Sequence, residues 1–158
     1  YELLPVPQGY VLRSRSEFDE QYWSYDFCRE VLEGIYSSYE CVRIGLNPKT
    51  GKLNLCNVFY TPLLDDHEPG DEPLTQEEAE AIAADRLDLT KRTLQKAEVG
   101  VVLPNWFFTQ HAWIHNKASK VTRLGWVLTY EDTDSEFSSL VRIEIDYYTG
   151  EILGGDMT

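Results

Sequence analysis

The chain has 158 residues, with 27 acidic and 14 basic side chains and a formal net charge of −13. Its hydrophobic fraction of 42% and aromatic fraction of 13% exclude a disordered chain, because so much apolar surface can form a core. Phosphate contacts and docking on anionic lipid both need clustered Lys and Arg side chains, so nucleic-acid and lipid-surface binders are excluded as well. We therefore expect an acidic globular protein of one domain or two small units.

No apolar stretch approaches the roughly 20 residues that a membrane-spanning helix needs. The longest candidate, residues 99–108, is interrupted by Gly100, Pro104 and Asn105. We therefore predict no membrane insertion by these residues. The sequence starts at Tyr1 rather than Met, and we expect that an upstream segment has been removed.

The first part of the chain alternates apolar and polar residues, which is typical of half-buried strands. The alternation predicts strands near residues 10–15, 22–30, 40–46 and 52–60. Residues 62–73 follow and are rich in Asp, Glu, Pro and Gly, so they are predicted to form an acidic linker.

A helix is predicted from about Gln76 to Ala97. Thr75 and Glu78 form a T-x-x-E capping box, which satisfies free N–H groups at a helix start. Apolar side chains then recur at helical spacing, namely Ala79, Ile82, Ala83, Leu87, Leu94 and Ala97. Further strands are predicted near residues 99–103, 106–114, 121–131 and 140–146.

Two stretches of the chain are similar to each other. Residues 42–53 and 141–152 share Val-Arg-Ile, then an Asn or Asp, then Thr-Gly. In each stretch Asn47 or Asp146 can open a turn, and Gly51 or Gly150 can supply the positive φ that closes a hairpin. A phosphate-binding loop is not predicted, since no helix start or glycine-rich run accompanies Thr-Gly. The chain is therefore predicted to contain two copies of one β-rich unit.

These motifs resemble the PepSY family. The helix opening Leu-Thr-Gln-Glu-Glu-Ala at 74–79 and the hairpin Asp-Tyr-Tyr-Thr-Gly-Glu at 146–151 carry the resemblance for residues 74–154. The first half, with Trp-Ser-Tyr-Asp-Phe at 23–27, resembles the tandem YcdB/YcdC-type repeats of secreted Gram-positive proteins.

The resemblance implies an α+β fold class with two cystatin-like/PepSY-like units. Each unit is expected to be a curled antiparallel sheet, with the long helix at about 76–97 packed on the second. The expected domains are a first unit at 1–61 that lacks its opening helix, the acidic linker at 62–73, and a second unit at 74–158. The resemblance also implies a location outside the cytoplasm, secreted or attached to the cell envelope, in a Gram-positive bacterium.

The three cysteines, Cys28, Cys41 and Cys56, lack the C-x-x-C spacing of zinc or redox sites. One disulfide with one free thiol fits this spacing, and so do three buried reduced thiols that pack as small hydrophobic residues. We favour the reduced state, because buried free cysteines are common.

No metal, cofactor or catalytic residue is predicted. His111 and His115 have i, i+4 spacing, but Ala112 stands where a zinc protease needs Glu. The acidic residues at 65–72 lack the alternation of a calcium loop. Nucleophile motifs such as G-x-S-x-G and the phosphate-binding P-loop are also missing from the sequence.

Aromatic side chains are the candidate partner-binding residues. Consecutive aromatic residues on a strand face opposite ways, so either two packed units cover them or some stay exposed for a partner. The candidates are Trp106, Phe108, Trp113, Tyr147 and Tyr148.

We predict a non-catalytic, extracytoplasmic binding or regulatory module. The PepSY resemblance implies that its partner is a protease or another envelope protein, and an exposed strand edge offers a physical route for binding. The alternative is a structural spacer of a larger exported protein, with no ligand of its own. An enzyme is the third possibility, and we do not expect one.

Overall fold

A computed structural model describes residues 6–18, 22–68, 70–105, 107–108, 119–133 and 139–158. These residues form eight strands and one helix. The chain divides into two compact units, Tyr1–Pro62 and Leu63–Thr158. No helix in the described part of the chain is both long and apolar enough to cross a membrane.

The first unit is a four-stranded antiparallel sheet in which sequence neighbours pair in the order β1-β2-β3-β4. Its strands are β1 (Tyr10–Phe18), β2 (Tyr22–Leu32), β3 (Ile35–Leu46) and β4 (Leu53–Tyr60). Tyr25 pairs with Ile44 and Phe27 with Val42, so these four side chains share one face and form the core of the unit. No helix accompanies this sheet among its described residues.

The second unit combines the helix with a sheet of the same order, β5-β6-β7-β8. Its elements are α1 (Gln76–Arg86), β5 (Arg92–Val102), β6 (Arg123–Asp132), β7 (Leu140–Asp146) and β8 (Ile152–Met157). Alternate residues of β7, namely Val141, Ile143 and Ile145, are fully buried and pack in one cluster with Ala79 and Ala83 of α1. The small alanines let the helix approach the sheet closely, and this cluster is the core of the unit.

The predicted α+β fold class with a long helix at 76–97 is wrong. The protein is mostly β, with two four-stranded sheets and one short helix. The helix ends at Arg86, where Leu87 turns to an extended conformation and Asp88 accepts a hydrogen bond from the Thr90 N–H at 3.1 Å. The predicted capping box is confirmed, since Thr75 and Glu78 bond each other's backbone.

The error lies in two residues that fit both periodicities. Leu94 and Ala97 continue the apolar spacing of the helix, but they belong to β5, where they pair with Tyr130 and Leu128 of β6. Both side chains still pack against the core of the second unit. The strand predicted at 106–114 lies mainly outside the described residues.

The favoured reduced state of the cysteines is also wrong. Cys28 and Cys41 form a disulfide, whereas Cys56 is a free, exposed thiol. The two bonded residues are direct partners across β2 and β3, with a Cα–Cα distance of 4.2 Å. The sequence spacing could not show this pairing, because it depends on the register of the two strands.

The two similar hairpin loops have matching hydrogen bonds. The Asn47 side chain accepts from the N–H groups two and three residues later, at 2.9 and 3.1 Å. Asp146 does the same at 3.1 and 2.9 Å. Gly51 and Gly150 both have positive φ, at 66° and 72°, and each donates its N–H to the residue that opens its turn. The shared sequence pattern therefore corresponds to a shared turn geometry.

Removing the disulfide should destabilise the protein. The disulfide closes a loop between residues 13 positions apart. Closing a loop of this length raises the free energy of the unfolded chain by about 3 kcal/mol, because it removes conformational entropy. We expect Cys28→Ala combined with Cys41→Ala to lower the free energy of unfolding by about that amount in urea titrations. The matched control Cys56→Ala, at an exposed thiol, should change it little. Three reactive thiols in the denatured, unreduced protein would contradict the disulfide.

Candidate functional site

The two candidate tyrosines lie in the β7–β8 loop and contact each other. The ring centroids of Tyr147 and Tyr148 are 5.1 Å apart, and Trp126 of β6 lies 6.1 Å from Tyr147. Both tyrosines are half-buried rather than fully exposed. Trp106 and Trp113 lie outside the described residues.

This aromatic cluster holds the chain segment that precedes α1. The Trp126 indole N–H donates to the Leu74 carbonyl at 2.9 Å, and the Leu74 N–H donates to the Tyr147 carbonyl at 2.8 Å. His67 stacks on Tyr148 with the ring centroids 4.1 Å apart. Burial, together with Tyr147 and nearby carboxylates, raises the pKa of Tyr148. The geometry gives both tyrosines contacts within their own unit.

An arginine adds a charged contact to the same segment. Arg123 Nη2 lies 2.8 Å from Asp146 Oδ2 and 3.3 Å from Asp66 Oδ1. Leu63 also forms a parallel bridge with Thr122. Residues 63–67, assigned to the acidic linker by sequence, thus contact the second sheet.

Phe108 belongs to a different part of the second unit. It has a positive φ of 59° and packs against the edge of the core. A Cβ atom added at Gly155 would lie 3.0 Å from its ring, so Phe108 sits beside β8 rather than with the two tyrosines. The structure therefore brings together Tyr147 and Tyr148 but not Phe108.

The four sheet edges differ in how they are protected from other strands. An unprotected edge presents free N–H and C=O groups, and charged side chains are one way in which proteins block strand addition there. The edge strand β1 carries Arg13, Arg15 and Glu17. The edge strand β5 likewise carries Arg92, Lys96 and Glu98.

The edge of β8 is covered by an asparagine from elsewhere in the chain. Asn105 Nδ2 donates to the Gly155 carbonyl at 2.9 Å, and its Oδ1 accepts from the Gly155 N–H at 3.2 Å. Its backbone N–H donates to the Leu153 carbonyl at 2.9 Å. A side chain at Gly154 would overlap the Asn105 amide, so glycine is needed for this close approach. The amide occupies the place that a further strand would take.

The edge strand β4 has neither form of protection. None of its eight residues is charged, and among the described residues no strand pairs with its outer edge. Large apolar side chains are exposed along it, with exposed fractions of 52% for Leu53, 68% for Val58 and 68% for Tyr60. The sequence predicted this strand but not its place at an open edge, which depends on the sheet order. Its lack of charge was the available signal.

The disulfide reveals which residues of β3 bond to β4. A Cα–Cα distance of 4.2 Å between Cys28 and Cys41 is typical of a pair that exchanges no backbone hydrogen bonds. Bonding groups alternate along a strand, so Cys41 directs its N–H and C=O away from β2 and towards β4. The Thr61 N–H donates to the Tyr39 carbonyl at 2.8 Å, which agrees with this alternation.

The alternation also identifies the free groups of β4. Phe59 is the partner of Cys41, and Asn57 is the partner of Arg43, so both bond to β3. Cys56 and Val58 are the neighbours of Asn57 along the strand, so they have the opposite bonding direction. Their N–H and C=O groups therefore point to the open edge, where an added strand can bond them.

A buried carboxylate lies on β7 in the second unit. Glu144 is 5% exposed, its Oε1 lies 3.3 Å from Arg142 Nη2, and its Oε2 has no hydrogen-bond partner among the described residues. Burial raises its pKa, and the positive charge of Arg142 opposes that rise only in part. The described residues contain no group of three or more His, Cys, Asp or Glu side chains able to hold a metal ion. His111 and His115 lie outside those residues.

Comparisons with known proteins give a distant structural likeness. No protein-family model matches the chain, and no curated protein matches it. Among solved structures, the chain is similar to the Bacillus megaterium YpeB C-terminal domain, with 10% sequence identity and a TM-score of 0.39. The alignment covers 95% of this chain and 57% of that one, so the chain spans little more than half of that structure. A likeness this distant decides neither the fold nor the function.

Replacing Glu144 by Gln should stabilise the protein at neutral pH. The raised pKa means that the folded state binds the proton more tightly than the unfolded chain, so the free energy of unfolding falls as the pH rises through the folded pKa. We expect Glu144→Gln to remove this fall and to gain about 1 kcal/mol at pH 7 in urea titrations. The gain should shrink near pH 4. The exposed Glu151→Gln is the matched control, and a Glu144→Gln variant less stable at pH 7 would contradict the argument.

Proposed function

We propose that the protein is a non-catalytic, extracytoplasmic binding module that accepts an extended segment of a partner protein along β4. One observation carries the proposal: β4 is an edge strand that is uncharged, apolar and exposed, whereas the described edges β1, β5 and β8 are charged or covered. An incoming strand would bond the backbone of Cys56 and Val58 and extend the first sheet.

Both faces of β4 can contribute to selectivity. Leu55 and Phe59 lie on one face of the strand, and Leu53, Val58 and Tyr60 lie on the other, because a bulge separates Leu53 from the rest of the strand. Alternate side chains of an added strand would contact these two apolar rows. The backbone bonds supply affinity for any extended segment, and the side-chain rows favour an apolar, uncharged one.

The disulfide supports a location outside the cytoplasm. Disulfides persist in oxidising compartments and are rare where thiol reductants are abundant. Cys28–Cys41 is buried in the sheet, as a structural disulfide would be. The PepSY-like motifs at 74–79 and 146–151 support the same location, and they favour a protease or another envelope protein as the partner.

The aromatic residues stay a second candidate surface. Trp106, Phe108, Trp113, Tyr147 and Tyr148 were predicted as partner contacts. The described tyrosines are half-buried, and they contact His67 and Leu74 of their own unit. The β4 edge is therefore the better-supported docking surface.

Strand addition can be tested with a displayed library of random eight-residue peptides. We expect selected peptides to be apolar, to bind the native chain, and to slow hydrogen exchange at Cys56 and Val58. Val58→Pro removes an outward N–H while leaving the bonds to β3 intact, so it should abolish binding. Val58→Ala keeps that N–H and is the matched control.

Three outcomes would reject this proposal. Peptides that protect other amides, or that bind the Val58→Pro variant as tightly as the native chain, would place the docking surface elsewhere. A library that yields no binder would favour the structural spacer instead.

A further inference from the structure

We infer that the segment accepted by β4 runs antiparallel to it and carries a carboxylate at its C-terminal end, where it meets the ammonium group of Lys52. This inference rests on the proposed function, in which β4 accepts an added strand, and it names the chemistry of the partner segment. The segment is apolar where it faces Cys56 to Tyr60. An Asp or Glu side chain, or the C-terminus of the partner chain, supplies the carboxylate.

The chain around the open edge is positively charged, although the protein as a whole is acidic. Residues 41–64, which include the second half of β3, the following turn and β4, contain three basic side chains and no acidic one. An even distribution of the 27 acidic side chains would place about four in this stretch. A partner segment that carries negative charge therefore complements this edge better than a positively charged one.

Of the three basic side chains, those of the β3–β4 turn are placed to meet an added strand. Arg43 is already paired with Asp26, whose Oδ1 lies 2.7 Å from the Arg43 Nε. Lys49 and Lys52 belong to the turn and are exposed. Lys52 directly precedes Leu53, the first residue of β4, so it lies in line with the open edge.

The turn holds the backbone of Lys52 beside this edge. The Asn47 N–H donates to the Lys52 carbonyl at 2.9 Å, and the Lys52 N–H donates to Thr50 Oγ1 at 3.3 Å. The backbone of an added strand would lie about 4.8 Å from β4, which is within reach of a lysine side chain. A carboxylate at this place would form a charge-assisted hydrogen bond with the ammonium group.

The equivalent turn of the second unit lacks this positive charge. In the two similar stretches of the chain, Lys49 corresponds to Tyr148 and Lys52 to Glu151. Both turns have the same hydrogen bonds, so the turn geometry does not require the lysines. The second turn leads into β8, whose edge is covered by Asn105. The basic residues thus accompany the open edge and not the covered one, which supports a role in binding.

The place of Lys52 at the start of β4 sets the direction of the segment. An antiparallel segment begins beside Tyr60 and ends beside Lys52, so its C-terminal end meets the ammonium group. Antiparallel pairing is also slightly more stable per residue than parallel pairing. A parallel segment would bring its N-terminal end to Lys52, where a free amino group would be repelled.

Four synthetic peptides of eight residues, with alternating Val and Thr and an acetylated N-terminus, test this inference. The first ends in Asp and the second in Asn, both with an amidated terminus. The third ends in Asn with a free carboxylate, and the fourth carries Asp at its first position and ends in amidated Asn.

We expect the first and third peptides to bind the native chain about threefold more tightly than the second in calorimetric titrations at low salt. The fourth should show no such gain, and about 0.5 M salt should remove the gain of the others. A gain from the third peptide alone would assign the carboxylate to a chain terminus, and a gain from the first alone would assign it to an acidic side chain.

Variants of Lys52 test the contact itself. Lys52→Gln should abolish the gain, and Lys52→Glu should reverse it, so that the peptide ending in amidated Asn binds more tightly than the one ending in Asp. Arg13→Gln is the matched control, because it removes one positive charge from β1 at the opposite edge of the same sheet. It should leave the gain unchanged.

Failure of this inference can be told apart from failure of the proposed function. Equal binding of all four peptides, or a gain from the fourth in place of the first, overturns the inference. A gain that Lys52→Gln leaves unchanged overturns it as well. Strand addition would still be supported in these cases if Val58→Pro abolished the binding. If no peptide bound, or if Val58→Pro bound as tightly as the native chain, the proposed function would fail and the inference with it.

Discussion

The hydrogen-bonding groups at the ends of each sheet constrain most of this structure. A four-stranded antiparallel sheet satisfies the backbone of its inner strands, but its two outer strands each keep a row of free N–H and C=O groups. Two such sheets give this small protein four edges. Three features limit strand addition at those edges. They are the charges of β1 and β5, the position of Asn105, and the two glycines of β8.

The two units, which both have small cores, are stabilised in different ways. In the second unit α1 buries Ala79 and Ala83 against β7, so helix and sheet share one apolar cluster. The first unit has no helix among its described residues, and its buried cluster is smaller. The disulfide across β2 and β3 compensates, since a cross-link stabilises small units whose apolar core is limited.

Local patterns in the sequence predicted local structure well. The capping box at Thr75 and the turns opened by Asn47 and Asp146 depend on residues within a few positions of one another, and the structure has them. Leu94 was misassigned because its apolar spacing suits both a helix and a strand, and only the partner strand decides between them. Asn105 shows most clearly what local patterns cannot predict, since its side chain forms a hydrogen bond with a residue 50 positions away in the chain.

The candidate site was predictable only in its chemistry. The absence of charge between Leu53 and Tyr60 is visible in the sequence, and so is the cysteine within that stretch. Whether that strand lies inside the sheet or at its edge depends on the pairing of all four strands, which no local pattern encodes.

The amide of Asn105 has a consequence for how the β8 edge meets other chains. Its two hydrogen bonds occupy both backbone groups of Gly155, so another strand can pair there only if the amide moves away. Were the amide lost, the chain would carry an open edge in each of its two sheets. Strands could then be added at both edges, and a chain with two open edges can be extended without an end, as in a fibre. A single side-chain amide thus protects the second sheet from unlimited strand addition.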